Sequence, residues 1–450
     1  MSNLLLNNPL ARFIKTVVGP AAIMAAGMIG AGAVSTRLLA GTWFGFDLLW
    51  VALYVIPMVI FTLDSASRVG IMSGGRGMLD MIKTEIFPAL AWIIFIPQFL
   101  LNIVVNISQM SVMTEAVYGV LGIDLPPGGA VTPFKIIIVL VLITLIVYAI
   151  VIGSFKRLQK VMTGLLMLIL FCFIVVAVKG LMQWATWTGI LGGLIPQIPA
   201  DIPVRGSEEM RRGFTQLMSI AGQALPAAVF LSYGYFTSNA EYTENDLKKN
   251  FNKSVLNFGL IWGLFSVMVV VAGVTALHNV YTGAGGGLHY SQISKVYEAG
   301  KVITPAFPQF IDFIATPIFS LGLLVAAFTT MVSVALIMVY FCLDVIGKDW
   351  KLREGNKAFQ WTLALWIIIP GLLSPFWHLD ALIQAILAMA GNLFMAPLAV
   401  LIIMYFVNKE KYMGKHTASV GRNIVLGITF VFSLYVVGRG IINFWNQYLG

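Results

Sequence analysis

The sequence runs to 450 residues, of which 59% are hydrophobic and only 10% charged, with a formal net charge of +9. A soluble domain usually carries about 25% charged residues because its surface faces water, so a set of soluble domains is excluded and a lipid bilayer is implied as the main solvent. The excess of Lys and Arg lies in short loops and not in one patch or stripe, which is a topology pattern and excludes nucleic acid as the partner.

Eleven apolar runs of spanning length follow one another at 17–43, 46–70, 88–121, 133–154, 161–184, 213–237, 254–277, 310–346, 359–376, 380–407 and 421–446. About 20 residues of helix cross the roughly 30 Å hydrocarbon layer, and helices pair every backbone N–H and C=O within themselves. No run shows the alternation of a transmembrane strand. The expected fold class is therefore all-α, a polytopic membrane protein with one transporter domain over 1–450. Cys172 and Cys342 lie inside apolar runs, too few for a disulfide framework or a thiolate zinc site.

Basic residues give the orientation. Arg12 and Lys15 precede the first span; Arg68, Lys156, Lys248, Lys348 and Lys409 each open a basic loop after an even-numbered span. The opposite loops hold fewer, among them Arg205, Arg211 and Lys295. This asymmetry places the N-terminus in the cytoplasm and the C-terminus outside, in a bacterial inner membrane, with residues before the first span read as a short cytoplasmic segment. TGAGGG at 282–287 lacks the Lys-Ser/Thr pair of a phosphate-cradling loop and reads as plain loop.

Two spans carry breaks. The first contains GMIGAGAVS (27–35), whose Gly27, Gly30 and Gly32 weaken a helix by about 1 kcal/mol each against alanine. The sixth contains GQALPAAVF (222–230), where Pro226 removes a backbone donor. Interruptions at matching positions of two five-span halves, 17–184 and 213–407 with 421–446 added, predict inverted repeats holding a substrate between the broken helices. In the third span Gln98, Asn102, Asn106 and Gln109 share one helical face, and in the tenth Gln384 and Asn392 do so. Buried amides must meet other helices or a wet cavity. Asn106, Gln109, Gln384 and Asn392 are expected to bind the substrate. Glu115 and Asp64 are the ionisable candidates for relaying a proton. No HExxH or GxSxG motif occurs, so no enzyme is expected.

From Gly19 to Arg422 the chain resembles the Nramp family of proton-coupled divalent-metal transporters with the LeuT-type fold. The resemblance rests on MIGAGAVSTRLLAG, FGFDLLW (44–50), SRVGIMSG (67–74), GSFKRLQKV (153–161), QAILAMAGNLFMAPL (384–398) and KYMG (411–414). It implies the LeuT-type fold, with the site at the breaks in the first and sixth helices. The family's Asp-Pro-Gly-Asn falls on Gly30, Ala31, Gly32 and Ala33, and its Met-Pro-His on Leu225, Pro226 and Ala227; a later histidine falls on Ser232, and an acidic pair near Asn102 and Asn106. Of the family's binding side chains only the glutamine is kept, as Gln384.

With no carboxylate, thioether or imidazole at those positions, a transition-metal site is not expected. The replacements also predict a wider pocket bordered by amides, with Phe230, Tyr233, Tyr235 and Phe236 offering apolar faces. The expected substrate is thus a small polar uncharged solute, a sugar first, with protons as an optional coupling ion. The alternative is a divalent cation, magnesium before manganese. No cofactor and no obligate protein partner are expected.

Overall fold

The computed structural model describes residues 16–124, 130–151, 155–205, 210–278, 288–289, 313–353, 355–377, 384, 388 and 391–448. Arg12, Lys15, the 282–287 loop, Lys295 and most of 380–390 lie outside these. Helices dominate. Among the described residues, eight helical stretches are long and apolar enough to cross a bilayer; joining two bent pairs makes ten, and Pro133–Tyr148 adds a shorter apolar helix. These helices are compatible with the eleven expected spans, the tenth being described continuously only from residue 391.

The first span is two helices, α1 (Pro20–Met28) and α2 (Ala31–Phe44), bent by 50° at their junction. Then come α3 (Leu49–Met72), the short α4 (Met78–Glu85), α5 (Pro88–Leu121), α6 (Pro133–Val151), α7 (Phe155–Leu181) and α8 (Trp184–Gly192). The sixth span is again two helices, α9 (Gly213–Ala224) and α10 (Ala227–Asn239). α11 (Leu247–Ser254) runs through a π-helical stretch, Val255–Ile261, into α12 (Trp262–Ala272). α13 (Ala315–Val345), α14 (Lys357–Leu373), α15 (Ala396–Val407), α16 (Glu410–Met413) and α17 (Val420–Tyr448) complete the chain. Three short strands, β1 (Ile202–Arg205), β2 (Met210–Arg211) and β3 (Leu288–His289), form a sheet in order β2-β1-β3. They lie outside the spans, in loops that the sequence pattern left featureless.

The ends of these helices follow from local chemistry. α1 and α5 start on Pro20 and Pro88, whose missing N–H costs nothing in the first turn. α5 stops at Gly122, which takes the left-handed conformation (φ 68°). Asn356 caps α14, its side chain accepting from the Phe359 N–H at 3.1 Å.

α13 is buried along most of its length and packs against α5, α7, α1 and α14. Around it, α5, α6 and α17 turn large apolar side chains outward, among them Ile93, Leu100, Leu145, Ile428 and Val431. In a helical bundle of this composition that outward belt faces lipid. The chain is an integral membrane protein.

Polar struts tie the bundle near one end. Asp64 on α3 is fully buried, and its Oδ2 lies 2.7 Å from both Arg68 Nε and Arg422 Nη2, so it bolts α3 to α17. α4 is pinned to α13 by Asp344, whose Oδ2 accepts from the Asp80 N–H (3.0 Å) and from Tyr235 Oη (2.6 Å). Only a glycine fits at residue 77 there, because a Cβ would sit 2.0 Å from the Asp344 carboxylate.

Glu85 at the end of α4 meets Lys411 Nζ at 2.8 Å and Arg76 Nη1 at 3.4 Å. Hydrogen bonding to Lys411 holds the Glu85 carboxyl down at about 2, from an ordinary 4.5. A depressed carboxylate stabilises the fold above its unfolded value, and that contribution is lost as pH falls towards the folded one. Lys411→Met should therefore lower the melting temperature at pH 7, with a gap to the wild type that narrows below about pH 4.5. A gap that stays constant from pH 7 to pH 3 would show that the pair contributes nothing.

Candidate functional site

The two broken spans cross at a cavity of about 40 Å³. Its walls come from Gly27, Met28, Gly30, Gly32 and Ala33 of the first span and Gln223, Pro226, Ala228 and Val229 of the sixth. Asn102 and Val105 of α5, Thr330, Val334 and Ile337 of α13, and Asn392 close it.

A helix that stops inside a membrane leaves carbonyls at one end and N–H groups at the other without partners. The neighbours supply them here. Thr329 Oγ1 donates to the Ala26 carbonyl (2.9 Å) and Thr330 Oγ1 to the Gly27 carbonyl (2.5 Å), both from α13. Gln223 Nε2 donates to the Met28 carbonyl at 2.5 Å. Beyond the break, the Ala31 N–H donates to Gln109 Oε1 at 3.3 Å. The carbonyl end of α1, which carries the negative pole of its dipole, faces the cavity through Gly27 and Met28.

The glycines do not widen the pocket. A Cβ on Gly30 would fall 1.9 Å from Thr330 Oγ1, and one on Gly27 would fall 2.4 Å from Ser333 Oγ. Space released by small residues is filled by α13, because a close-packed interior leaves few voids larger than a water molecule.

One charged group stands behind the wall. Arg37 on α2 is fully buried, donating from Nη1 to Gln223 Oε1 (2.6 Å) and to the Ala33 carbonyl (3.2 Å), and from Nε to Ser266 Oγ (2.9 Å). Its guanidinium lies 4.8 Å from the centre of the Trp262 ring, and Nη2 has no partner. Gln223 therefore joins α2 to the broken end of α1, one end of its amide on each. The sequence reading missed both residues, although an arginine inside an apolar span and a glutamine three residues before Pro226 were visible signals.

The expected site residues divide. Gly30, Gly32, Ala33, Pro226 and Asn392 line the cavity. Gln109 instead caps α2. Asn106 donates from Nδ2 to the Trp366 carbonyl of α14 at 3.1 Å, so it joins two helices. Leu225, Ala227 and Phe230 are buried around the second break but are not among the residues lining the cavity, and Gln384 is buried and does not line it either. Tyr233 and Tyr235 are buried, bonded through their hydroxyls to Asn250 (3.1 Å) and Asp344, and neither lines the cavity. Phe236 packs against Tyr340 at 5.2 Å. Asp64 serves as the strut described above, and Glu115 lies within electrostatic reach of Lys135; neither lines the cavity. Among the described residues no three His, Cys, Asp or Glu side chains come together as a metal cluster.

The family model for natural resistance-associated macrophage protein-like chains (Nramp) matches residues 21–443. The chain belongs to the Nramp family. Two curated relatives are divalent metal cation transporters called MntH. That of Aeromonas hydrophila is 25% identical over 28% of this chain and 30% of its own length. That of Klebsiella pneumoniae is 25% identical over 42% of this chain and 43% of its own. The match thus spans less than half the length of either relative. Among solved structures, a manganese transporter of Eremococcus coleocola superposes with a TM-score of 0.69 at 15% identity, over 99% of this chain and 90% of the other. MhsT in complex with L-phenylalanine superposes at 0.61 with 14% identity, over 94% and 97%. These likenesses establish the LeuT-type fold for this Nramp chain.

They also correct the substrate expectation. An uncharged solute, sugar first, is overturned: family and relatives match the divalent-cation alternative. The geometry agrees. A cavity of about 40 Å³ holds roughly three waters, whereas pockets for drug-sized ligands are about 300–1,000 Å³.

Proposed function

We propose that this Nramp chain carries a divalent cation across the membrane by alternating access, and that the ion is a hard one, magnesium first, bound with part of its water retained. The observation that carries this reading is the donor set. The cavity is bordered by neutral oxygens, those of Asn102, Asn392, Gln223, Thr330 and the carbonyl end of α1, with no carboxylate or imidazole and with Met28 as the one thioether on its wall. Magnesium is octahedral and dehydrates reluctantly, so about three waters with a few protein oxygens would complete its shell. Softer ions would find one thioether there, that of Met28, and no imidazole or thiolate. Arg37 disfavours a bare ion, and retained water screens the two positive charges from each other.

Movement would pivot at Gly30 and Pro226. α1 is moored at its far end by Lys253 Nζ on the Val18 carbonyl and Asn257 Nδ2 on the Val17 carbonyl (3.2 Å), contacts that must part for that side to open. The two five-span repeats (17–184 and 213–407), the cytoplasmic N-terminus and a proton carried by Asp64 or Glu115 belong to the same proposal. The pairing of Asp64 with two arginines favours a structural role for it.

The test is uptake into proteoliposomes holding a magnesium-sensitive dye. Saturable magnesium entry is expected, with manganese slower and glucose without effect. Sugar uptake, or manganese uptake that outruns magnesium, would overturn the reading.

A further inference from the structure

A groove of about 230 Å³ opens on the side of the bundle, between α5 and α14. Phe99 and Ile103 of α5, Cys342 of α13, and Leu365, Trp366 and Ile369 of α14 are on its wall. Leu365 and Ile369 are about half exposed and belong to the outward apolar belt. The wall side chains leave no polar group open. Thr362 Oγ1 donates to the Ala358 carbonyl at 2.8 Å, and the Trp366 side chain hydrogen-bonds the Cys342 thiol. An apolar occupant is the one that gains by filling such a groove.

The groove has a direction. The rings of Trp92, Phe95, Phe99 and Trp366 follow one another at 5.7, 5.5 and 5.1 Å, and a Cβ on Gly371 would meet Met110 Cε at 3.2 Å. Rising residue numbers meet rising residue numbers, so α5 and α14 run the same way. From Thr362 to Pro370 the wall climbs about 12 Å, close to half of a hydrocarbon layer about 30 Å thick. Trp92, and Trp361 beside Thr362, are both exposed where the groove begins. Tryptophans so placed mark the headgroup level. The groove therefore lies in one leaflet and opens towards the membrane surface.

At that end the charge is positive. Residues 348–357 hold four basic and two acidic side chains. Carboxylates at this end of the bundle are engaged: Asp349 by Arg353, Asp80 by Arg76 and Glu85 by Lys411. Lys348, Lys351 and Lys357 are exposed and have no ion-pair partner among the described residues. The Lys348 N–H donates to the Leu343 carbonyl at 2.8 Å, which holds that lysine's backbone against the turn of α13 carrying Cys342. Lys357 opens α14 just over one turn before Thr362.

We propose that the groove holds one acyl chain of an anionic phospholipid, whose phosphate is met by Lys348, Lys351 and Lys357. Basic groups beside a cleft between spanning helices are the chemistry that selects anionic headgroups. This site is independent of what the central cavity carries.

The test uses the full-length protein, stripped of lipid in detergent and read by native mass spectrometry. Phosphatidylglycerol and phosphatidylcholine with identical acyl chains are the probes. One phosphatidylglycerol per chain is expected, bound roughly tenfold tighter than phosphatidylcholine or more. Lys348→Gln, Lys351→Gln and Lys357→Gln should each weaken phosphatidylglycerol about fivefold and leave phosphatidylcholine unchanged. Ile369→Trp fills the groove from a half-exposed position and should weaken both lipids. Ile428→Trp, similarly exposed on α17, should weaken neither. Equal affinity of the wild type for the two lipids, no lipid bound at all, or undiminished phosphatidylglycerol binding in Ile369→Trp would each overturn the proposal. The first two readouts need no variant to fold. Magnesium uptake without any lipid preference would sink this site and leave the transport reading standing.

Discussion

Gly30→Ala is expected to lower the melting temperature and to abolish cation uptake. The backbone is not the reason, since φ −89° and ψ −178° at Gly30 suit any residue. The obstacle is Thr330, with Oγ1 at 1.9 Å and Cβ at 2.7 Å from where the methyl would be. Either α13 yields, and the hydroxyl leaves the Gly27 carbonyl that it holds at 2.5 Å, or α2 is pushed away and the cavity deforms. Overpacking of this kind costs about 1–3 kcal/mol, and the lost hydrogen bond about 1 kcal/mol more. Thr330→Ala in the same chain removes Oγ1 and should recover part of the stability. It should not recover uptake, because the end of α1 still lacks its donor. Thermal unfolding in detergent and proteoliposome flux read the two effects apart. A Gly30→Ala protein that melts and transports like the wild type would refute the close approach of the first break to α13.

Gln223→Leu carries the larger stability cost. It strips Arg37 Nη1 of its 2.6 Å acceptor and the Met28 carbonyl of its 2.5 Å donor. Arg37 already has one nitrogen without a partner in a fully buried position. Taking a partner from a buried charge costs about 3–5 kcal/mol, mostly because the charge stays behind. The sign of the coupling is the sharper test. Adding Arg37→Leu to Gln223→Leu removes the stranded charge, so the double variant should be more stable than Gln223→Leu alone. Strictly additive losses would mean that the two side chains act independently.

The stripe of amides on α5 shows where the sequence stopped being informative. A spacing of three to four residues places Gln98, Asn102, Asn106 and Gln109 on one face, and the structure keeps them all buried. It then sends three of them to different places: Asn102 to the cavity, Asn106 to α14, and Gln109 to the start of α2. Periodicity fixes the angle of a side chain about its own helix, and says nothing of which helix stands opposite. The sugar expectation failed for the same reason. Small residues were read as vacated volume, and only α13, some 300 positions along the chain from Gly27, shows that the volume is filled.

Membrane residence, the helical spans and the two breaks were all determined by the sequence, because hydropathy over about 20 residues and the backbone habits of Gly and Pro are local properties. The tertiary structure alone decided which polar groups close each break, that Arg37 leans on Gln223, and how little room remains between the broken helices. Those facts arise from contacts between residues 78, 186 and 303 positions apart. Distant helices meet through packing of the whole bundle, and a single helix carries no record of its neighbours.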